Sequence, residues 1–191
     1  MGESAPEVDV RLRKTVVLIG MMGAGKTAVG RALATRLGVP MRDSDAEIVD
    51  RARLSIAEIF ERYGEAFFRE KETQVIARLL EDAPCVLSTG GGAWMSERNR
   101  QLMTAKAAVL WLEADLELLW SRVRHKTTRP LLRTDNPRRS LSEILEARSP
   151  VYRLAPLKVH VQPEWSITET AGHVLRRLVE AGAVEELRSN E

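Results

Sequence analysis

Cysteine is almost absent from this chain. Among its 191 residues only Cys85 carries a thiol, so an internal disulfide is excluded and the composition fits a reducing compartment. Cys85 stands at the start of an apolar stretch, where a buried and inert thiol is expected. We therefore assign it no chemistry.

Long apolar runs are missing as well. No stretch reaches the roughly 20 apolar residues that a membrane-spanning helix requires. Residues 1–14 are charged and lack the apolar segment of a secretory signal. We expect a soluble, cytoplasmic protein that does not bind membranes.

The sequence also lacks an excess of charge of either sign. Its 29 Lys and Arg residues nearly balance its 27 Asp and Glu residues, which leaves a formal net charge of +2. A nucleic-acid groove needs a clustered positive excess. We therefore expect no nucleic-acid partner.

A phosphate-binding motif is present near the amino end. The stretch GMMGAGKT at residues 20–27 fits G-x-x-x-x-G-K-[ST], follows the apolar run 16–19, and precedes a segment with helical periodicity. Glycines let successive N–H groups converge, and the helix that follows adds its dipole. Lys26 is then placed to reach the outer phosphates of a nucleotide, and Thr27 to ligate Mg²⁺. A glycine-rich turn with a chance lysine is the weaker interpretation, because strand, loop and helix are in register.

Strand and helix patterns alternate along the chain. We predict strands at residues 15–19, 85–89, 108–112 and 157–161, with a short one ending at residue 43. Such alternation implies right-handed crossovers and a parallel sheet covered on both faces. The expected fold is α/β, a P-loop kinase-like three-layer fold with a five-stranded parallel sheet. It forms one monomeric domain over residues 15–181, between a flexible lead-in (1–14) and a polar tail (182–191).

Helix boundaries are predicted from caps and breakers. Ser55 is expected to cap a helix that ends at Tyr63 and Gly64, before a further helix to about residue 80. Ser140 is expected to cap a helix to about residue 148 that Pro150 interrupts.

Two carboxylates follow the short second strand. Asp43 and Asp45 are two residues apart and stand where parallel strands open towards a ligand crevice. They are candidates for a substrate or metal site. The alternative is an N-cap pair for the next helix.

Three further patterns have both a functional and an ordinary interpretation. Glycines 90–92 follow an apolar strand and favour close approach to a ligand, although a flexible turn is the alternative. Arg69 and Glu72 lie one helical turn apart and can pair, usually as a surface ion pair. Residues 122–139 are rich in arginine and contain two prolines, which favours a mobile lid that closes over phosphates rather than a solvated loop.

Taken together, these motifs resemble the shikimate kinase family. The resemblance rests on the residue 20–27 loop, DSD at 43–45, FREKE at 68–72, GGG at 90–92 and RPLL at 129–132. Their order and spacing match along residues 14 to 180. One departure is the stretch VQPEW at 161–165, where family members often have an arginine near the adenine. Another is Met41, where many relatives have an aromatic residue.

The resemblance implies transfer of the γ-phosphoryl group of Mg·ATP to the 3-hydroxyl of shikimate. The residues that would hold the ATP phosphates are Gly23, Ala24, Gly25, Lys26, Thr27 and Ala28, with Arg129 closing from the lid. Asp43 would hold Mg²⁺ through water beside Thr27. Asp45 would bind the shikimate hydroxyls and could accept the proton of the attacking one. Arg69 and Arg148 would grip the carboxylate, and Gly91 would line the same pocket.

This implied set of residues suits the chemistry. Guanidinium groups fit a carboxylate and carboxylates fit hydroxyls, and phosphoryl transfer needs mainly alignment and charge neutralisation. The histidines, which are His125, His160 and His173, therefore need no catalytic role. A gluconokinase on the same scaffold and a non-catalytic nucleotide switch remain the rival hypotheses. Neither has an evident need for both Arg69 and Arg148.

Overall fold

The centre of the molecule is a parallel sheet. A computed structural model describes residues 9–125 and 130–187. The strands are β1 (Asp9–Leu12), β2 (Val16–Ile19), β3 (Met41–Asp43), β4 (Val86–Ser88), β5 (Ala108–Glu113), β6 (Leu157–His160) and β7 (Val184–Leu187). Five of them form one sheet in the order β3-β4-β2-β5-β6, and every pairing in it is parallel. This confirms the predicted α/β fold and its five-stranded sheet.

Seven α-helices are described. They are α1 (Lys26–Leu37), α2 (Ser44–Ala52), α3 (Ile56–Leu79), α4 (Glu97–Lys106), α5 (Leu116–Val123), α6 (Pro137–Tyr152) and α7 (Ile167–Glu180). Helix α1 packs against α7, and α3 packs against α2 and α4. Because β2 is fully buried as an unbroken apolar run, helices must cover the sheet on both faces. None of these helices is long and apolar enough to cross a membrane.

The strand order fixes where a ligand can bind. The chain moves from β2 outward to β3, returns to β4 beside β2, and then continues past β2 to β5 and β6. Right-handed crossovers therefore place α1 and α4 on opposite faces of the sheet. A crevice opens at the carboxyl end of β2, where the strand order reverses.

The cap and breaker predictions for α3 are confirmed. Ser55 caps the helix in a capping box with Glu58. The predicted end at Gly64 is a break inside α3, where the backbone has φ 82° and ψ 169°. Phe68, Arg69 and Glu72 all belong to the half of α3 that follows this break.

The prediction for α6 is wrong at both ends. Asn136 rather than Ser140 caps the helix, with Pro137 in the first turn, where its missing N–H costs nothing. The helix also runs through Pro150 to Tyr152. Pro150 lies in the last turn, where the helix continues because Arg153 N still donates to Ser149 O over 3.0 Å.

The two ends of the described chain differ from the expected lead-in and tail. Strands β1 and β7 form an antiparallel ribbon in which Leu12 pairs with Val184. Both of these side chains are buried in the core. Arg13 adds a two-pronged contact with Glu185 at 2.9 and 3.2 Å. The predicted limits of 15–181 therefore leave out two strands that belong to the packed structure.

Cys85 is buried, as expected. Its sulfur accepts a hydrogen bond from the Thr15 hydroxyl over 3.9 Å. Burial raises the pKa of the thiol. A raised pKa keeps the thiol protonated and unreactive.

Candidate active site

The loop of residues 20–27 joins β2 to α1 at the carboxyl edge of the sheet. Gly23 has φ 85°, a conformation that L side chains rarely adopt. A Cβ built there would lie only 2.8 Å from Val123 Cγ1 of α5. The loop is thus held closely against α5, and its N–H groups stand at the amino end of α1.

Lys26 is folded over this loop. Its Nζ donates hydrogen bonds to Gly20 O at 2.7 Å and Met21 O at 3.0 Å. The ammonium group is therefore held beside the concave side of the loop. A lysine at this point of the motif can reach the outer phosphates of a nucleotide, and for Lys26 that role stays a prediction.

A cluster of oxygen atoms lies next to Lys26. Thr27 Oγ1 donates to Asp43 Oδ2 over 3.1 Å and lies 3.5 Å from Ser88 Oγ. Asp43 Oδ1 accepts from the N–H groups of Asp45 and Ala46, so Asp43 also caps α2. The N-cap interpretation is confirmed for Asp43 through Oδ1. Oδ2 contacts Thr27, and the metal role of Asp43 stays a prediction.

Ser88 was not among the predicted site residues. It ends β4, and the strand register places it opposite Asp43 of β3. The available signal was a hydroxyl at the end of a buried strand next to the glycine triplet. Such a signal is too common to single out one serine.

The glycine triplet holds together three predicted site residues that are far apart in sequence. A Cβ built on Gly90 would lie 2.7 Å from Asp45 Oδ1, and one on Gly92 would lie 2.6 Å from Arg69 Nη2. A Cβ on Gly91 would lie 3.2 Å from Arg148 Nη1. Each missing side chain thus makes room for one charged group. A plain flexible turn would not require these close approaches, and contact of the triplet with a ligand stays a prediction.

Arg69 is tied to a buried carboxylate. Its Nη1 donates to Glu72 Oε2 over 2.9 Å, and the Glu72 side chain is 0% exposed. Burial raises the pKa of Glu72, the positive charge of Arg69 lowers it in part, and Asp45 adds to the rise. This spacing usually indicates an ion pair on the protein surface. That interpretation is wrong here, because Glu72 is buried. Glu72 contacts Nη1 of Arg69, while Nε and Nη2 donate to Glu65 Oε1 over 3.4 Å.

Arg122 is a further residue that sequence reasoning missed. It lies near the end of α5, and its Nη1 donates to Gly23 O at 3.1 Å and Ala24 O at 3.2 Å. Burial lowers the pKa of this guanidinium. Arg122 was visible in the sequence only as one of many arginines in residues 122–139.

Arg129 lies outside the described residues, together with residues 126–128. Of the predicted lid, the structure describes the end of α5, a short 3₁₀ turn (Pro130–Leu132) and the start of α6. The role of Arg129 and the closing of the lid stay predictions.

The phosphate-binding loop, Asp43, Asp45 and part of the glycine triplet line a cleft of about 640 Å³. Its walls are residues 22–29, Arg31, Asp43, Asp45, residues 88–91, Arg122, Val161, Ile167 and Thr170. Arg69 and Arg148 lie just beyond it, against the triplet. The stretch 161–165 contributes Val161 to the wall, whereas Trp165 stacks on His173 with ring centroids 3.8 Å apart. None of the three histidines is among the described residues that line the cleft.

The fold and this cleft define a P-loop kinase that acts on a small molecule. The phosphate-binding loop and the Asp45 carboxylate line the cleft, and two guanidinium groups lie just beyond it against the triplet.

Comparison with known proteins identifies the family. A family profile described as shikimate kinase matches residues 22–179. Shikimate kinase of Ruegeria pomeroyi is 60% identical over 187 residues, which cover 96% of each chain. The solved structure of shikimate kinase from Acinetobacter baumannii in complex with shikimate has a TM-score of 0.83 and 36% identity, and covers 88% of this chain and 94% of that one. The chain belongs to the shikimate kinase family and is an ATP-dependent kinase.

The gluconokinase hypothesis has only the fold in its favour. A gluconokinase structure from Sinorhizobium meliloti has a TM-score of 0.57 and 21% identity, and covers 90% of this chain and 96% of that one. Such a likeness shows a shared scaffold and says nothing of the acceptor.

Proposed function

We propose that this protein transfers the γ-phosphoryl group of ATP to the 3-hydroxyl of shikimate, giving 3-phosphoshikimate and ADP. The observation that carries this proposal is the meeting of Asp45, Arg69 and Arg148 on the glycine triplet, part of which lines the same cleft as Lys26. An acceptor with a carboxylate at one end and hydroxyls at the other matches this arrangement.

Arg69 and Arg148 are proposed to bind the shikimate carboxylate. Two guanidinium forks can bind one carboxylate through charge-assisted hydrogen bonds, which also fix its orientation. Glu72 supports this role because its contact with Arg69 restricts the arginine before the substrate arrives. A restricted side chain loses less entropy on binding.

Asp45 is proposed to bind the hydroxyl groups, with Gly91 lining the same pocket. The Asp45 carboxylate packs against Gly90 and faces the cleft shared with the phosphate-binding loop. It can accept the proton of the attacking 3-hydroxyl as a general base. The alternative, in which Asp45 only orients the hydroxyl, predicts a smaller loss of turnover when it is replaced.

The residue 23–28 loop is proposed to hold the ATP phosphates. On nucleotide binding, Lys26 exchanges its contacts with Gly20 O and Met21 O for phosphate oxygens. Arg129 is proposed to close over the nucleotide from the lid and to add positive charge as the phosphoryl group moves.

Thr27 and Asp43 are proposed to hold Mg²⁺, with Asp43 acting through water. The fit rests on their donor atoms, because a hydroxyl and a carboxylate oxygen 3.1 Å apart suit a hard cation. Mg²⁺ keeps several waters and usually takes only one or two carboxylates. When bound, the ion neutralises charge on the phosphates. Cytoplasmic location and a monomeric state stay predictions of the sequence.

The test is ADP release by the purified protein with Mg·ATP, measured with shikimate, with gluconate and with no acceptor. We expect release that depends on shikimate and that falls at least 100-fold in Arg69→Ala, from the loss of charged hydrogen bonds. Arg62→Ala is the matched control, since Arg62 lies on the same helix and is exposed. Release with shikimate no faster than without an acceptor would overturn the proposal.

Asp45→Asn tests the hydroxyl end of the same site. We expect ATP binding to be kept while turnover falls by about 10²–10⁴-fold, the usual contribution of a general base. Unchanged turnover would remove Asp45 from the chemistry.

A further inference from the structure

Tyr152 is a buried tyrosine whose hydroxyl contacts the glycine triplet. Its side chain is fully buried in the last turn of α6. The hydroxyl donates a hydrogen bond to Gly91 O over only 2.6 Å. The ring stacks on Trp111 of β5, with centroids 5.7 Å apart and planes 16° from parallel. Tyr152 is therefore fixed to the central sheet at one end and to the glycine triplet at the other.

Arg148 precedes Tyr152 by one helical turn, and its side chain also extends to Gly91. From a Cβ built on Gly91, Arg148 Nη1 would be 3.2 Å away and the Tyr152 hydroxyl 3.7 Å away. Burial raises the pKa of Tyr152 to about 12, against an opposing charge and hydrogen bond from Arg148. The hydroxyl thus stays protonated at neutral pH, so that it donates to Gly91 while its oxygen faces the guanidinium.

A second hydrogen bond joins the same two parts of the chain. Trp94 Nε1, in the 3₁₀ turn after the triplet, donates to Val151 O over 2.8 Å. The last turn of α6 is therefore attached to the triplet at Gly91 and again three residues later. This double attachment makes the distance between Arg148 and the triplet a fixed property of the fold.

We propose that Tyr152 is a positioning residue that fixes Arg148 and Gly91 relative to each other. The guanidinium and the loop backbone then meet the substrate carboxylate together, without rearrangement. The proposal rests on the role assigned to Arg148 under the proposed function. This positioning role requires the Tyr152 hydroxyl, whereas a packing role would require only the aromatic ring.

Tyr152→Phe separates the two roles, since it keeps the ring and its stacking and removes only the hydroxyl. We expect the KM for shikimate to rise about tenfold, from an unsatisfied Gly91 carbonyl and a less restricted Arg148, while the KM for ATP changes less than twofold. Tyr63→Phe is the matched control, because Tyr63 is the other tyrosine of the chain and is 55% exposed. Thermal melting of both variants confirms that folded proteins are compared.

A double-mutant cycle shows whether Tyr152 acts through Arg148. Adding Tyr152→Phe to Arg148→Ala is expected to raise the shikimate KM less than twofold further. A full tenfold rise in that background, or an unchanged shikimate KM in Tyr152→Phe alone, would overturn the inference while Arg148→Ala still supports the proposed function. An unchanged shikimate KM in Arg148→Ala would overturn the role assigned to Arg148 and this inference with it, whereas the proposed function falls only if ADP release does not depend on shikimate.

Discussion

Replacing Gly92 by alanine tests the proposed substrate end of the site without replacing a charged residue. Gly92 has φ −89° and ψ −13°, which alanine adopts readily, so the backbone is not strained. The new Cβ would lie 2.6 Å from Arg69 Nη2, 2.7 Å from Nη1 and 2.9 Å from Cζ. Since ordinary contacts begin near about 3.5 Å, the guanidinium must move by roughly 1 Å.

The size of the effect follows from what this movement breaks. Arg69 ends in a flexible side chain, so the protein still folds, and the movement can keep the contact with Glu72. A shift of this size removes at least one hydrogen bond to the substrate carboxylate, which is worth about 1.5–3 kcal/mol for a charged group. We expect the shikimate KM to rise roughly 10- to 150-fold while the ATP KM stays unchanged.

The assay is steady-state kinetics with each substrate varied in turn. Gly172→Ala is the control, because among residues 9–125 and 130–187 its Cβ would meet only Arg36 Nη1, at an ordinary 3.5 Å. It should leave both KM values unchanged and add up to about 1 kcal/mol of stability, as alanine does inside a helix. A folded Gly92→Ala protein with a shikimate KM within twofold of the original would refute the reasoning.

Three further predictions concern other parts of the site. Gly23→Ala should raise the ATP KM at least tenfold and lower the melting temperature by several degrees. Alanine at a positive φ costs about 1–2 kcal/mol, and the new Cβ would lie 2.8 Å from Val123. Asp43→Asn should keep the helix cap but need roughly tenfold more Mg²⁺ for half-maximal ADP release, because asparagine caps equally well without the negative charge. In an absorbance titration one phenol should ionise only at about pH 12, and Tyr152→Phe should remove that phase. Because unfolded tyrosine ionises near pH 10 while the folded one keeps its proton, stability should fall as pH rises from about 10 to about 12.

The parts of the fold that were predictable depend on short-range patterns. The residue 20–27 loop is recognised by its glycines, and the buried strands by unbroken apolar runs. Strands β2 and β5 lie where those runs predict. Ser55 likewise identified the start of α3. Each of these features needs only neighbouring residues to form.

The parts that were missed depend on distant contacts. Arg122 reaches Gly23 across 99 residues of chain, and Tyr152 reaches Gly91 across 61. The sequence spacing suggested that Glu72 is part of a surface ion pair. Its full burial follows from how α3 packs after the Gly64 break, which the spacing does not show. No local spacing distinguishes such residues from ordinary helix residues.

The β1–β7 ribbon also decides what can be attached to this enzyme. Strand β1 leads into the amino end of β2, while the cleft opens at the carboxyl end of that strand, so the ribbon and the cleft lie at opposite edges of the sheet. A second protein joined directly to Asp9 or Leu187 would therefore start at the edge away from the cleft. Asp9 lies opposite Leu187, so a short peptide could join the two ends of the ribbon and new termini could be opened elsewhere. This arrangement makes the protein suitable for circular permutation.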